Sequence, residues 1–132
     1  MVRVLVVDDE ENARVGLAKL LGHNGYQAVA VGNGCEALSY LAAHPVDVVL
    51  TDIKMPEMNG MLLLRELHEK YPQSQVIMIT AYGGIRAYLD ALDLGSLEAL
   101  NKPFRFEKLK AVISKVLDQR GKPMDSGSAA VS

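Results

Sequence analysis

Val48-Val49-Leu50-Thr51-Asp52-Ile53-Lys54-Met55-Pro56-Glu57-Met58-Asn59-Gly60 is the stretch that decides the fold. An aliphatic run ends on a carboxylate, and a segment punctuated by Pro and Gly follows at once. Three other segments repeat the pattern of apolar residues leading into a polar group. Val4-Leu5-Val6-Val7 runs into Asp8-Asp9, Val76-Ile77-Met78-Ile79 into Thr80, and Leu97-Glu98-Ala99-Leu100 through Asn101 into Lys102-Pro103. Near-continuous aliphatic runs of this kind are how strands buried on both faces of a parallel sheet read. If these strands lie in one such sheet, their polar ends converge on one edge. Open α/β sheets bind ligands in the crevice outside the carboxyl ends of their strands.

Strand and helix alternate five times. Strands are expected over residues 3–7, 27–31, 46–51, 75–80 and 97–100, and helices over 12–21, 35–43, 61–70, 85–94 and 106–119. Helical spacing is clear in Ala13, Leu17, Leu20, Leu21 and again in Phe106, Leu109, Ile113, Val116, Leu117. The second strand is mixed and shorter, which suits an edge. Gly22 and Gly25 suit a helix stop, and Asn33 and Asn59 are candidate caps for the helices after them. Short connections and βα alternation predict an α/β, doubly wound (βα)5 sheet.

At 132 residues the chain is one domain's worth. It is 49% hydrophobic and 23% charged, an ordinary globular balance. A net charge of −2 gives no footprint for direct binding of nucleic acid or an anionic membrane. No apolar run approaches the roughly 20 residues a membrane helix needs. Asp8, Asp9 and Glu10 interrupt any signal-peptide core. The single cysteine, Cys35, excludes an internal disulfide and suits a reducing cytoplasm. Residues 121–132 are Gly, Pro, Ser and Ala with scattered charge, expected to form a disordered tail or linker stub after a domain over 1–120.

Taken singly, each candidate has a bland reading. Asp8-Asp9-Glu10 could cap a helix, Thr80 could cap a turn, and Lys102 could be solvated. Asp52 resists that reading, because an apolar strand rarely ends on an unpaired charge without a reason. His23, His44 and His68 show no metal-ligand spacing and read as surface residues. Cys35 reads as a small helix residue, and the methionines as core or loop filler.

In that order, an acidic pair after strand one, Asp52 with Met-Pro and Asn-Gly after strand three, Thr-Ala after strand four and Lys-Pro-Phe after strand five, the chain resembles the receiver domain of two-component response regulators, the CheY-like superfamily. The resemblance covers residues 1–120 and implies a flavodoxin-like sheet of strand order 2-1-3-4-5. It implies a bacterial, cytoplasmic signalling protein. Asp52 would accept a phosphoryl group from a histidine kinase or phosphotransfer protein with Mg2+. Asp9, Asp52 and the Lys54 backbone carbonyl would ligate the metal directly, with Asp8 acting through metal-bound water. Thr80 and Lys102 would hold phosphoryl oxygens. Mg2+ suits such a site because it prefers oxygen ligands and uses few carboxylates. The face of the fourth helix, fifth strand and fifth helix would be the partner surface, supporting a phosphorylation-dependent homodimer; Tyr88, Leu97 and Ala99 are expected to make it apolar.

Two departures from the family pattern stand out. Ala99 occupies the position where receivers usually carry a switch aromatic, and Phe104-Arg105-Phe106-Glu107 lacks the usual Asp, Ser or Thr cap. Lys54 and Tyr82, expected to flank the water approach, are poor at orienting a water, which implies slow self-dephosphorylation. Two other function classes remain open. A haloacid-dehalogenase-like phosphatase would need Asp-x-Asp-x-Thr after strand one, where this chain has Asp8-Asp9-Glu10-Glu11. A pure docking module would not need the phosphorylation residues that are present.

Overall fold

The computed structural model describes residues 1–52, 58–81, 83–91 and 98–120. In chain order the elements are β1 (Arg3–Val7), α1 (Glu11–His23), β2 (Gln27–Val31), α2 (Gly34–Ala43), β3 (Val48–Asp52), α3 (Met58–Lys70), β4 (Gln75–Thr80), α4 (Ile85–Ala91), β5 (Glu98–Asn101) and α5 (Phe106–Arg120). The strands form one five-stranded sheet of order β2-β1-β3-β4-β5, and every pairing is parallel.

The aliphatic runs behave as two-sided strands. Successive side chains point to opposite faces, so each central strand feeds two cores. Leu5, Val7, Val49, Val76 and Met78 meet Ala37 and Leu41 of α2, Leu64 and Leu67 of α3, and Ile85 and Leu89 of α4. Val4, Val6, Val48, Leu50, Ile77 and Ile79 meet Leu21 of α1 and Leu109, Val112, Ile113 and Val116 of α5. Each fully buried Leu or Ile contributes about 1.5–3 kcal/mol relative to exposure, so the two layers clamp the sheet and fix its register. β2 lies at an edge, as its composition predicts. It has 5 residues, as many as β1 and β3, so edge character shows in its partial exposure rather than its length.

The element ends refine the sequence reading. α1 runs from Glu11 to His23 rather than over 12–21. Glu10 caps it, its carboxylate accepting the Ala13 N–H at 2.6 Å. Gly25, at φ 90°, makes the left-handed turn after it. Asn33 caps α2 by accepting the Glu36 N–H at 2.9 Å. Asn59 does not cap α3, which already begins at Met58. N–H groups in a first turn have no intrahelical partner, so Asn and Gly cost little there. β3 starts at Val48 rather than residue 46; just before it, the Asp47 carboxylate accepts the Arg3 N–H at 2.8 Å, while its backbone bonds the Arg3 carbonyl and the Gln75 N–H. Asp52 is the last residue of β3 rather than the first residue beyond it. Before α5 the cap position falls to Arg105. A guanidinium has no acceptor, and the Arg105 carbonyl takes the Lys108 and Leu109 N–H groups.

Lys54, Tyr82, Leu97, the expected end of the fourth helix over 92–94 and the tail over 121–132 lie outside the described residues, as does the side chain of Tyr88. No helix among the described residues is long and apolar enough to cross a membrane.

Candidate functional site

Register brings the polar strand ends together. Val7 pairs with Thr51, so Asp8, the residue after β1, and Asp52, the last of β3, follow side by side. Across the other boundary Asp52 pairs with Ile79, and Thr80 pairs with Asn101. Lys102 therefore leaves the sheet two strands away from Asp52, a span of roughly 10 Å at ordinary strand spacing. Its backbone N–H is held by the Thr80 carbonyl at 2.8 Å, and its side chain crosses the end of β4 to donate to Asp52 Oδ2. Lysine's long stem suits that reach. The Asp52 side chain is only 7% exposed, against 38% for Lys102.

The other oxygen, Asp52 Oδ1, is buried and has no hydrogen-bond partner. Asp8 is buried too, and its Oδ1 accepts the Glu10 N–H at 3.0 Å. Burial pushes the Asp8 carboxyl above its ordinary value, and the neighbouring Asp52 carboxylate pushes the same way; the Glu10 N–H and the Lys102 charge oppose both. Two buried carboxylates thus face one lysine, and one carboxylate oxygen is left orphaned. That is a donor set short of positive charge, and a hard, oxygen-seeking divalent cation fits it. Among the described residues no three Asp, Glu, His or Cys side chains form a metal set by themselves. A complete shell would need the Lys54 carbonyl, or water, in addition.

The remaining predicted residues are placed less directly. Asp9 is exposed, and here it is Asp8 that sits beside Asp52. Thr80 is fully buried at the end of β4. Strand alternation sets it with Val76 and Met78, while Asp52 follows Val48 and Leu50 toward the α1–α5 layer. Ala99 is half-buried and packs on the α2–α4 core rather than adding to an exposed patch. On the opposite face of β5, Glu98 pairs with Lys115 of α5 at 3.2 Å. His23, His44 and His68 are exposed, as expected, with His44 stacked on Tyr40 at 4.4 Å.

Two neighbours had been given no part in the site from the sequence. Phe104 joins Leu17, Leu50 and Ile79 around a cavity of about 170 Å³ that also touches Asp8, Asp52 and Lys102. Arg14 reaches back from α1 to the Asp8 carbonyl. The signal for Arg14 was its place: long side chains in a first helical turn lean toward the preceding loop. A larger cavity of about 470 Å³, lined by Val46, Tyr71 and Ser74, lies by the loops that enter β3 and β4. It is at the other end of the sheet, so volume is no guide to the chemistry here.

A parallel sheet of order 2-1-3-4-5, with a buried aspartate on its middle strand flanked by an acid and a lysine, is the architecture of response regulator receivers. The chain belongs to that family: the response regulator receiver domain model matches residues 4–114. It is 34% identical to the chemotaxis protein CheY of Bacillus subtilis over 117 residues, covering 88% of this chain and 98% of CheY. It is 36% identical over 115 residues to the regulatory protein AtoC of Escherichia coli, covering 87% of this chain but only 25% of AtoC. The chain thus spans about a quarter of the length of that longer regulator. Among solved structures, response regulator TrrA from Thermotoga maritima in complex with Mg2+–BeF matches with a TM-score of 0.76 and 36% identity, over 89% of this chain and 100% of TrrA.

Proposed function

We propose that this chain is the phosphoacceptor of a two-component pathway, with Asp52 taking a phosphoryl group from the histidine of a kinase or phosphotransfer protein. Receiver domains are signalling phosphoacceptors, and the observation that carries the finer reading is Asp52 itself. It is buried, held through one oxygen by Lys102, and its other oxygen has no partner. In the transfer, an Asp52 carboxylate oxygen forms the new P–O bond as the donor's P–N bond breaks. The departing imidazole nitrogen keeps the electron pair and is protonated from solvent. Positioning and charge compensation do most of the work in phosphoryl transfer. Lys102 is placed to exchange its bond to Asp52 for one to a phosphoryl oxygen, and the Thr80 hydroxyl would hold a second. Mg2+, for which Asp8, Asp9, Asp52 and the Lys54 carbonyl are the ligand candidates, would supply positive charge against the phosphoryl oxygens.

The wider reading is a cytoplasmic signalling module whose α4–β5–α5 face meets partners or a second copy after phosphorylation, and whose output lies in another protein or in further domains. The test is incubation with acetyl phosphate and Mg2+, followed by intact-mass measurement. Wild type should gain one acid-stable, base-labile phosphoryl group; Asp52→Asn should gain none. Labelling elsewhere, or full labelling in EDTA, contradicts the assignment. Steady turnover of a phosphate ester would favour a phosphatase, and neither labelling nor turnover would favour a docking module.

A further inference from the structure

We propose that Arg14 is a positioning residue for the acidic pair, acting on the peptide plane that joins Asp8 to Asp9; the proposal rests on the receiver reading above. Arg14 Nη1 donates to the Asp8 carbonyl at 3.2 Å from a half-buried position one turn into α1. A peptide unit is planar, so holding that oxygen sets where the Asp9 nitrogen and Cα lie. The rest of Asp8 is already tied. Its N–H donates to the Val31 carbonyl at 3.2 Å, and its Oδ1 accepts the Glu10 N–H at 3.0 Å. The Arg14 bond is the third attachment, and it faces the Asp9 side of the residue.

Arg14 is itself braced. A Cβ built at Gly32 would stand 3.5 Å from both its Cζ and its Nη1, so the guanidinium lies against the turn after β2. That turn is held in place by the Gly32 N–H donating to Glu36 Oε1 at 2.7 Å, and by the Asn33 cap. The guanidinium thus joins α1, the acidic loop and the turn after β2. A planar, rigid fork suits such a bridge, whereas a lysine carries the charge without the fixed geometry.

Charge and position predict opposite signs. As a bare cation near a Mg2+ site, Arg14 would oppose metal binding, and its removal would tighten it. As a clamp on the Asp8–Asp9 peptide, its removal loosens the ligand set and weakens binding. The experiment is Mg2+ titration by calorimetry on wild type, Arg14→Ala and Arg14→Lys, with thermal melts in EDTA and labelling by acetyl phosphate at low and saturating Mg2+. Arg14→Ala should bind Mg2+ about tenfold more weakly, the scale typical when an outer partner of a metal ligand is removed. Arg14→Lys should recover part of the loss, and saturating Mg2+ should restore labelling of Asp52. Should Arg14→Ala not fold, Arg14→Met keeps an aliphatic stem of similar length on α1, loses the guanidinium that bonds the Asp8 carbonyl and lies against Gly32, and must show the same weakening. Unchanged or tighter Mg2+ binding in a folded variant overturns the proposal, as does a lowered melting point with unchanged affinity. A wild type that neither binds Mg2+ nor labels Asp52 overturns the receiver reading, and this proposal with it.

Discussion

Lys102 donates to one oxygen of Asp52 and leaves the other buried without a partner. The pair is thus half-compensated, and the two oxygens have different surroundings. Lysine at this place should matter more to the transfer than to metal binding. Lys102→Met removes the donor to Asp52 that the proposed transfer would turn on the phosphoryl group, and losses of about 100-fold are typical of such changes. We expect labelling of Asp52 by acetyl phosphate to slow on that order, while Mg2+ affinity stays the same or rises as the local positive charge is lost. A variant that labels at the wild-type rate would remove Lys102 from the chemistry.

The raised Asp8 carboxyl has a pH consequence in the metal-free protein. A carboxyl raised on folding binds its proton more tightly in the folded than in the unfolded chain. The stability this gives is present below the unfolded value of 3.8 and is lost as pH rises through the folded value. In EDTA, Asp8→Asn should therefore gain on wild type as pH rises through that window and then level off. With Mg2+ the order should reverse, because the acid is then a binding partner. Chemical denaturation across pH, with and without Mg2+, is the measurement. A difference in EDTA that does not change with pH would show that burial of the Asp8 charge is not what separates the two proteins.

The sequence made the order of elements legible because the central strands are aliphatic on both faces. No one-sided arrangement would bury Val4 to Val7 and Val76 to Ile79 completely. Asp8, Asp52 and Lys102 were legible because parallel strands deliver their ends to one edge. Element ends were harder to read. Asn59 reads as the cap of a helix beginning at residue 61 but falls, with Gly60, in the first turn of α3, where helical bonds make no demand on the N–H groups. Asp47 still bonds the backbones of Arg3 and Gln75, so the strand fades rather than stops, and no residue type marks where it begins. Arg14 acts on a carbonyl, and carbonyls leave no mark in a residue pattern.

Stability should separate core from cap. Leu50 is 1% exposed and sits in the α1–α5 layer two residues before Asp52. Leu50→Ala should cost about 3 kcal/mol, as deletion in a layer with little room to collapse does. Asn33→Ala loses one cap bond and should cost about 1 kcal/mol. Gly25→Ala, at φ 90° with open space where its Cβ would go, should cost about 1 kcal/mol through backbone conformation alone. Urea denaturation gives all three values. A Leu50→Ala cost no larger than that of Asn33→Ala would contradict the layered core.

How long the phosphoryl group lasts depends on whether water can approach in line with the bond to Asp52, opposite the leaving carboxylate. If the receiver pattern holds here, Lys54, two residues after the acceptor, and Tyr82, two after Thr80, would flank that approach. Neither is a carboxylate or amide suited to orient a water for attack. A tyrosine ring would mainly exclude it, and an ammonium would pair with a phosphoryl oxygen rather than activate solvent. Slow loss should follow, suited to a relay or to sustained regulation. The decay of phospho-Asp52 in wild type should therefore be slower than in the double variant Tyr82→Ala with Lys54→Asn, which opens the approach and adds an amide. Decay is followed by intact mass after the donor is removed, at fixed Mg2+. Equal decay in the two proteins would show that these side chains do not shield the phosphoryl group, and that its lifetime is set by how Asp52, Lys102 and the metal hold it.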